Sequence, residues 1–176
     1  MSGAVSREAK GLILISCTLL GVVSSAYSAR GEVETVQAVR HFVQEFYDWY
    51  VPKAFMRSAE QPWRVALEAR PTSFSADVTS LLAKQIREQA HTTGEISGID
   101  FDPFLGTQDP EEHYNVGHIV KKGERYWVTI YRVSAQEPQS PTLLAEVANV
   151  NGHLEFKNFR YPDGKDLLTL LQLPNR

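Results

Sequence analysis

Apolar side chains recur at three- and four-residue intervals over residues 32–51, at Val36, Val39, Val43, Phe46, Tyr47 and Tyr50, the spacing that lays one apolar stripe along a helix. Pro52 is expected to end or kink that helix, because proline lacks the backbone donor the next turn needs. Pro62 is placed to open a short helix through Trp63 and Leu67 that Pro71 closes. Ser73 or Ser75 then caps a second amphipathic helix, buried along Val78, Leu81, Leu82 and Ile86 and ending before Gly94.

From Tyr114 onward the period changes to two. Tyr126, Val128 and Ile130 alternate with Trp127, Thr129, Tyr131 and Val133, which is the pattern of a strand. The polar turn Lys121-Lys122-Gly123-Glu124 and the hairpin dipeptide Asn151-Gly152 divide the region into four strands, near 114–120, 125–134, 142–150 and 153–161. With no helix between them, an antiparallel meander is expected. After Pro162-Asp163-Gly164, Leu167, Leu168, Leu170 and Leu171 predict a short closing helix. The fold class is therefore α+β, with N-terminal helices packed on a curved antiparallel sheet of about four strands. The strand bearing Trp127 and Tyr131 is apolar on both sides, so helices cover one side and a pocket or interface is expected on the other.

The first 28 residues read differently. Arg7 and Lys10 precede an uncharged run, Gly11 to Val23, followed by the small residues Ser24-Ser25-Ala26-Tyr27-Ser28-Ala29, the order of a cleavable export signal. Thirteen residues are too few to cross a hydrocarbon core, which needs about 20 in a helix, so no stable membrane span is expected after processing. Cleavage is expected after Ala26 or Ser28, leaving residues 29–176 as a single domain in the periplasm or secreted. Leu14-Ile15-Ser16-Cys17 offers the alternative of a lipoprotein anchored through Cys17. Cys17 is the only cysteine, so the mature domain can hold no disulfide, thiolate metal site or cysteine nucleophile.

The chain has 18 basic and 21 acidic residues; Arg7, Lys10 and Glu8 fall in the leader, leaving 16 against 20 and a net charge near −4. A mildly acidic domain lacks the basic field that phosphate-backbone binding requires, so no nucleic-acid partner is expected.

Three segments carry a resemblance: Phe46-Tyr47-Asp48-Trp49-Tyr50 on the first helix, Asp100-Phe101-Asp102-Pro103-Phe104-Leu105 closed by Gln108-Asp109, and an aromatic strand running into Tyr161-Pro162. Over roughly residues 36–171 the chain resembles a family of exported bacterial proteins with an NTF2-like, cystatin-like α+β architecture. The resemblance implies a fold and a compartment. It implies no activity, since the family has no agreed biochemistry.

Asp100, Asp102, Asp109, Glu111 and Glu112 crowd one loop, and oxygen-rich loops can bind calcium. Counted from Asp100, however, Phe104 and Leu105 stand where an EF-hand loop needs an oxygen ligand and a glycine. The aspartates are expected instead to accept backbone N–H bonds while Phe101, Phe104 and Leu105 plug the core. His113 and His118, five apart, point to opposite faces of an unbroken strand; either one with a loop aspartate would make a general base. No catalytic residue, metal set or cofactor is assigned. The binding candidates are Trp127 and Tyr131 on the sheet, Asp48 on the first helix, and Asp100, Asp102 and Asp109 in the loop.

The function these patterns favour is that of a non-catalytic envelope protein binding a small apolar ligand or an envelope-protein partner on the concave sheet face, with a homodimer as a further way to cover it. The alternatives are a small NTF2-like hydrolase or isomerase using an Asp/His pair, and an envelope inhibitor or immunity protein. Intact-mass analysis from the native host should show an unlipidated chain beginning between Tyr27 and Arg30. A diacylglyceryl adduct on Cys17 would place the protein among the lipoproteins instead.

Overall fold

The computed structural model describes residues 20–56, 60–91, 98–134 and 140–173, with side chains from Thr35 onward apart from His91 and Ser140. The chain divides into two compact units, Met1–Thr35 and Val36–Arg176. Most of the expected leader, residues 1–19, lies outside the described residues; residues 20–28 are helical.

Helix α1 spans Leu20–Phe55, longer at both ends than the apolar stripe alone predicts. Pro52 neither ends it nor prevents another turn, and the Met56 amide still donates to the Pro52 carbonyl at 3.2 Å. Val51 and Ala54 flank Pro52, and both are buried. Their burial offsets the hydrogen bond that proline removes. Helices α2 (Pro62–Ala69) and α3 (Ala76–His91) follow as the sequence predicts. Ser75 stands just before α3 but does not cap it through its side chain, because its Oγ is buried without a partner among the described residues. Its backbone takes over: the Ser75 carbonyl accepts from the Thr79 amide at 3.0 Å, and its amide donates to Phe156 at 2.9 Å.

Strands β1 (His113–Lys122), β2 (Arg125–Val133), β3 (Ser140–Val150) and β4 (His153–Arg160) form an open antiparallel meander in the order β1-β2-β3-β4. Asn151 and Gly152 adopt φ of 54° and 87°, the left-handed pair that a two-residue hairpin with native twist requires. Each ladder carries one register irregularity, which bends and twists the sheet. The one in β1, between Val116 and Ile119, shifts the alternation by one residue, so the spacing of His113 and His118 no longer implies opposite faces. Helix α4 (Leu167–Gln172) closes the fold, capped by the Asp166 carboxylate.

One face of the sheet supplies Tyr126, Val128, Ile130, Leu143, Ala145 and Val147 to the core. At its centre Phe46 meets the rings of Tyr47, Trp49, Tyr50, Phe74, Phe104 and Phe156 at centroid distances from 4.9 to 6.3 Å. Most of these contacts are tilted or edge-on, the arrangements aromatic pairs prefer.

Both sheet edges are partly covered. The Arg40 guanidinium donates to the Val116 and Gly117 carbonyls at 2.8 Å each. Gln44 accepts from the Val116 amide at 3.0 Å and donates to the Tyr114 carbonyl at 3.3 Å. On β4, Phe74 bridges Phe156 and Asp166 bridges Arg160. Open strand edges template association, so Arg40→Ala with Gln44→Ala should expose β1. The expected outcome is a loss of about 2–4 kcal/mol in unfolding free energy for four hydrogen bonds, with concentration-dependent self-association in sedimentation. Unchanged sedimentation and unchanged stability would show that these contacts do not guard the edge.

Candidate functional sites: the plug-loop cleft and the second sheet face

Residues 102–107 fold into a tight loop that drives Phe104 and Leu105 into the core, both with 0% exposure. The Asp102 amide donates to the Thr107 carbonyl at 2.9 Å, and the Gly106 amide returns to the Asp102 carbonyl at 2.8 Å. Asp102 Oδ1 accepts from the Phe104 and Leu105 amides at 2.9 and 3.1 Å. Asp102 Oδ2 accepts from the Tyr50 hydroxyl at 2.5 Å. Two further hydroxyls hold the loop's carbonyls: Tyr47 donates to Phe104 at 2.8 Å and Tyr161 to Pro103 at 3.0 Å. A buried loop must find partners for its backbone polar groups, and here one carboxylate and two phenols supply them.

Part of the Asp102 residue reaches the surface, but its carboxylate is enclosed. Burial pushes it up to about 6, against the opposing pull of the Tyr50 hydroxyl and the two amides. Burial and the neighbouring Asp102 charge hold the Tyr47 and Tyr50 hydroxyls well above the ordinary phenol range.

Beside the plug lies an open cleft of about 740 Å³, bounded by Trp63, Phe101, Asp100, Asp102, Gln108 and Asp109 among others. The structure thus brings the three loop aspartates of the sequence analysis to one cleft. They do not act alike: Asp102 is held by the fold, whereas Asp100 is exposed and accepts from Gln108 Nε2 at 3.1 Å. The expectation that Asp100 binds backbone amides is corrected accordingly. Asp48 does not line the cleft; it is exposed on α1 and accepts from Gln44 at 2.8 Å. Among the described residues, no three His, Cys, Asp or Glu side chains converge as metal ligands. His41, His113, His118 and His153 are all exposed, and the Asp102 oxygens bond to Tyr50, Phe104 and Leu105 rather than to any of them.

Trp127 and Tyr131 lie together on the sheet face turned away from the core. Both are half-buried, and neither belongs to the core or packs against it. Leu144, paired with Thr129 across the sheet, shares that position. The Tyr131 ring lies over β1 at Gly117, where a Cβ would meet it at 2.1 Å, so glycine there makes room for the ring. Sequence reasoning missed two neighbours of Trp127: the guanidinium carbon of Arg160 stands 4.7 Å from its ring centroid and Lys122 Nζ 5.9 Å. Arg160 comes from β4, two strands away, and nothing in the strand periodicity signals that reach.

The fold defines an α+β protein whose helices precede a four-stranded open antiparallel sheet. No family model and no curated protein matches the chain. A crystal structure of a protein of unknown function from Bacteroides thetaiotaomicron VPI-5482 is similar, with a TM-score of 0.51 and 16% identity, covering 78% of this chain and 98% of that one. The likeness supports the fold and carries no activity.

The raised Asp102 carboxyl sets a pH dependence. Its folded value of about 6 lies above the ordinary 3.8, so the folded state holds this proton more tightly. The stability it contributes is present below about pH 4 and lost as pH rises through about 6. Chemical unfolding should therefore show the domain gaining stability between pH 7 and pH 5. Asp102→Asn, which keeps an acceptor for the two amides, should flatten that slope. Asp102→Ala strands the donors and should cost about 2–4 kcal/mol. A slope unchanged in Asp102→Asn would assign it to other groups.

Proposed function

We propose that the chain is an exported, non-catalytic interaction protein of the NTF2-like, cystatin-like kind, which binds a protein partner on the sheet face bearing Trp127 and Tyr131. One observation carries the proposal: Trp127, Tyr131 and Leu144 form a half-buried apolar strip that takes no part in the core. With parts of both edges occupied by Arg40, Gln44, Phe74 and Asp166, strand addition is obstructed there and the face offers side-chain surface to a partner. A small apolar ligand is less well served, because such ligands need a concave site and the cleft described above lies at the Asp102 loop, not on this face. An Asp/His enzyme lacks support, since the histidines named above are exposed and the buried carboxylate is committed to the loop. Export rests on the order of charge, apolar run and small residues in the leader.

Two adjacent residues on β2 test the assignment. Ile130 is fully buried in the core and Tyr131 lies on the opposite face. Ile130→Ala should cost about 2–5 kcal/mol of unfolding free energy, and Tyr131→Ala less than half as much. A photo-crosslinking residue at Thr129, beside the strip, should give one discrete adduct in the native host, and one at exposed Ser80 on α3 should not. Equal, large stability losses at both positions would return this face to the structural core.

A further inference from the structure

Trp127 is approached by cations from both outer strands. Arg160 reaches over from β4 and Lys122 from the end of β1, at 4.7 and 5.9 Å from the ring centroid. Trp49 carries a similar pair, Lys53 at 4.4 Å and Arg70 at 4.7 Å, but those cations are engaged. Lys53 donates to the Trp49 carbonyl at 3.1 Å, and Arg70 pairs with Glu45 at 3.1 Å. Around Trp127 the head groups of Arg160 and Lys122 make no hydrogen bond or ion pair among the described residues. Asp166 stands within electrostatic range of Arg160, but Asn158 and Thr169 hold its carboxylate. Two other cations of this face are paired, Arg125 with the buried Glu146 and Lys157 with Glu155. Two exposed cations that form no ion pair among the described residues therefore flank an aromatic platform in a chain whose net charge is −3.

We infer, resting on the assignment of this face as the partner surface, that the partner presents an extended, carboxylate-rich peptide segment. Its acidic side chains meet Arg160 and Lys122, and its apolar side chains lie on Trp127, Leu144 and Tyr131. Charge complementarity of this sort sets partner choice and register. A second copy in a two-fold arrangement is disfavoured, because an axis through Trp127 would set these cations against their own copies. An anionic membrane fits less well. Trp127 and Tyr131 are half-buried rather than protruding, and the exposed large apolar side chains of this face, Val120 and Val150, stand on different strands, whereas interfacial binders bury a continuous apolar surface among the lipids.

The test uses the full chain, labelled with nitrogen-15, with poly-L-glutamate as the probe. Trp127→Phe identifies the Trp127 indole signal. Poly-L-glutamate should shift that signal saturably, and the shift should weaken in high salt. Lys122→Ala with Arg160→Ala should weaken binding at least tenfold while the unfolding temperature stays within about two degrees, both positions being exposed. Four outcomes would overturn the inference: no shift, a shift that survives the double substitution, an equal response to poly-L-lysine, or a response to phosphatidylglycerol vesicles and not to the polyacid. Should the polyacid fail while Ile130→Ala and Tyr131→Ala still differ and Thr129 still crosslinks, the face remains a partner surface and only its acidic specificity falls.

Discussion

Tyr50 and Asp102 meet at 2.5 Å, and the buried loop that follows Asp102 depends on that meeting. Six residues of irregular chain cannot enter a core unless their amides and carbonyls are satisfied there. The carboxylate binds two amides with one oxygen and the α1 phenol with the other, while Tyr47 and Tyr161 bind two carbonyls. Phe104 can then stand against Phe46, Phe74 and Phe159. Burying that carboxylate carries a cost, visible in its upward shift to about 6. The aromatic packing that the loop permits offsets it.

The same fixation bears on function. A carboxylate with a raised pKa in a cleft is a common mark of a catalytic group, and position alone would nominate Asp102. Two loop amides and the Tyr50 hydroxyl already hold its oxygens, and burial is what raises it, so its perturbation has a structural cause. Asp100, on the rim of the same cleft, is the more accessible of the two and is exposed.

At the sheet, the physical constraint is the pairing of backbone groups. Arg40 and Gln44 from α1 and the chain segments at Phe74 and Asp166 occupy parts of the two edges, which favours side-chain surface over backbone for recognition. That surface combines a tryptophan, a tyrosine and a leucine with exposed cations. Such a mixture is common at protein interfaces, where aromatic residues and arginine carry a disproportionate share of binding energy.

Periodicity alone placed the four strands, the Asn151-Gly152 hairpin, the helices beginning at Pro62 and near Ser75, and the closing leucine helix, because each depends on contacts a few residues apart. It also showed that β2 is apolar on both sides and that Phe104 and Leu105 suit a plug. Tertiary structure decided the rest. Whether Pro52 stops a helix depended on the burial of Val51 and Ala54, and whether the Ser75 side chain caps one depended on the burial of its hydroxyl. Asp100 and Asp102 are both loop aspartates in the sequence, and it is the folded loop's amides and Tyr50, about fifty residues earlier, that separate their roles. The approach of Arg160 to Trp127 follows from strand register, in which β4 lies two strands from β2. Local spacing encodes local geometry, whereas partners distant in the chain are chosen by packing and desolvation, which exist only once the chain has folded.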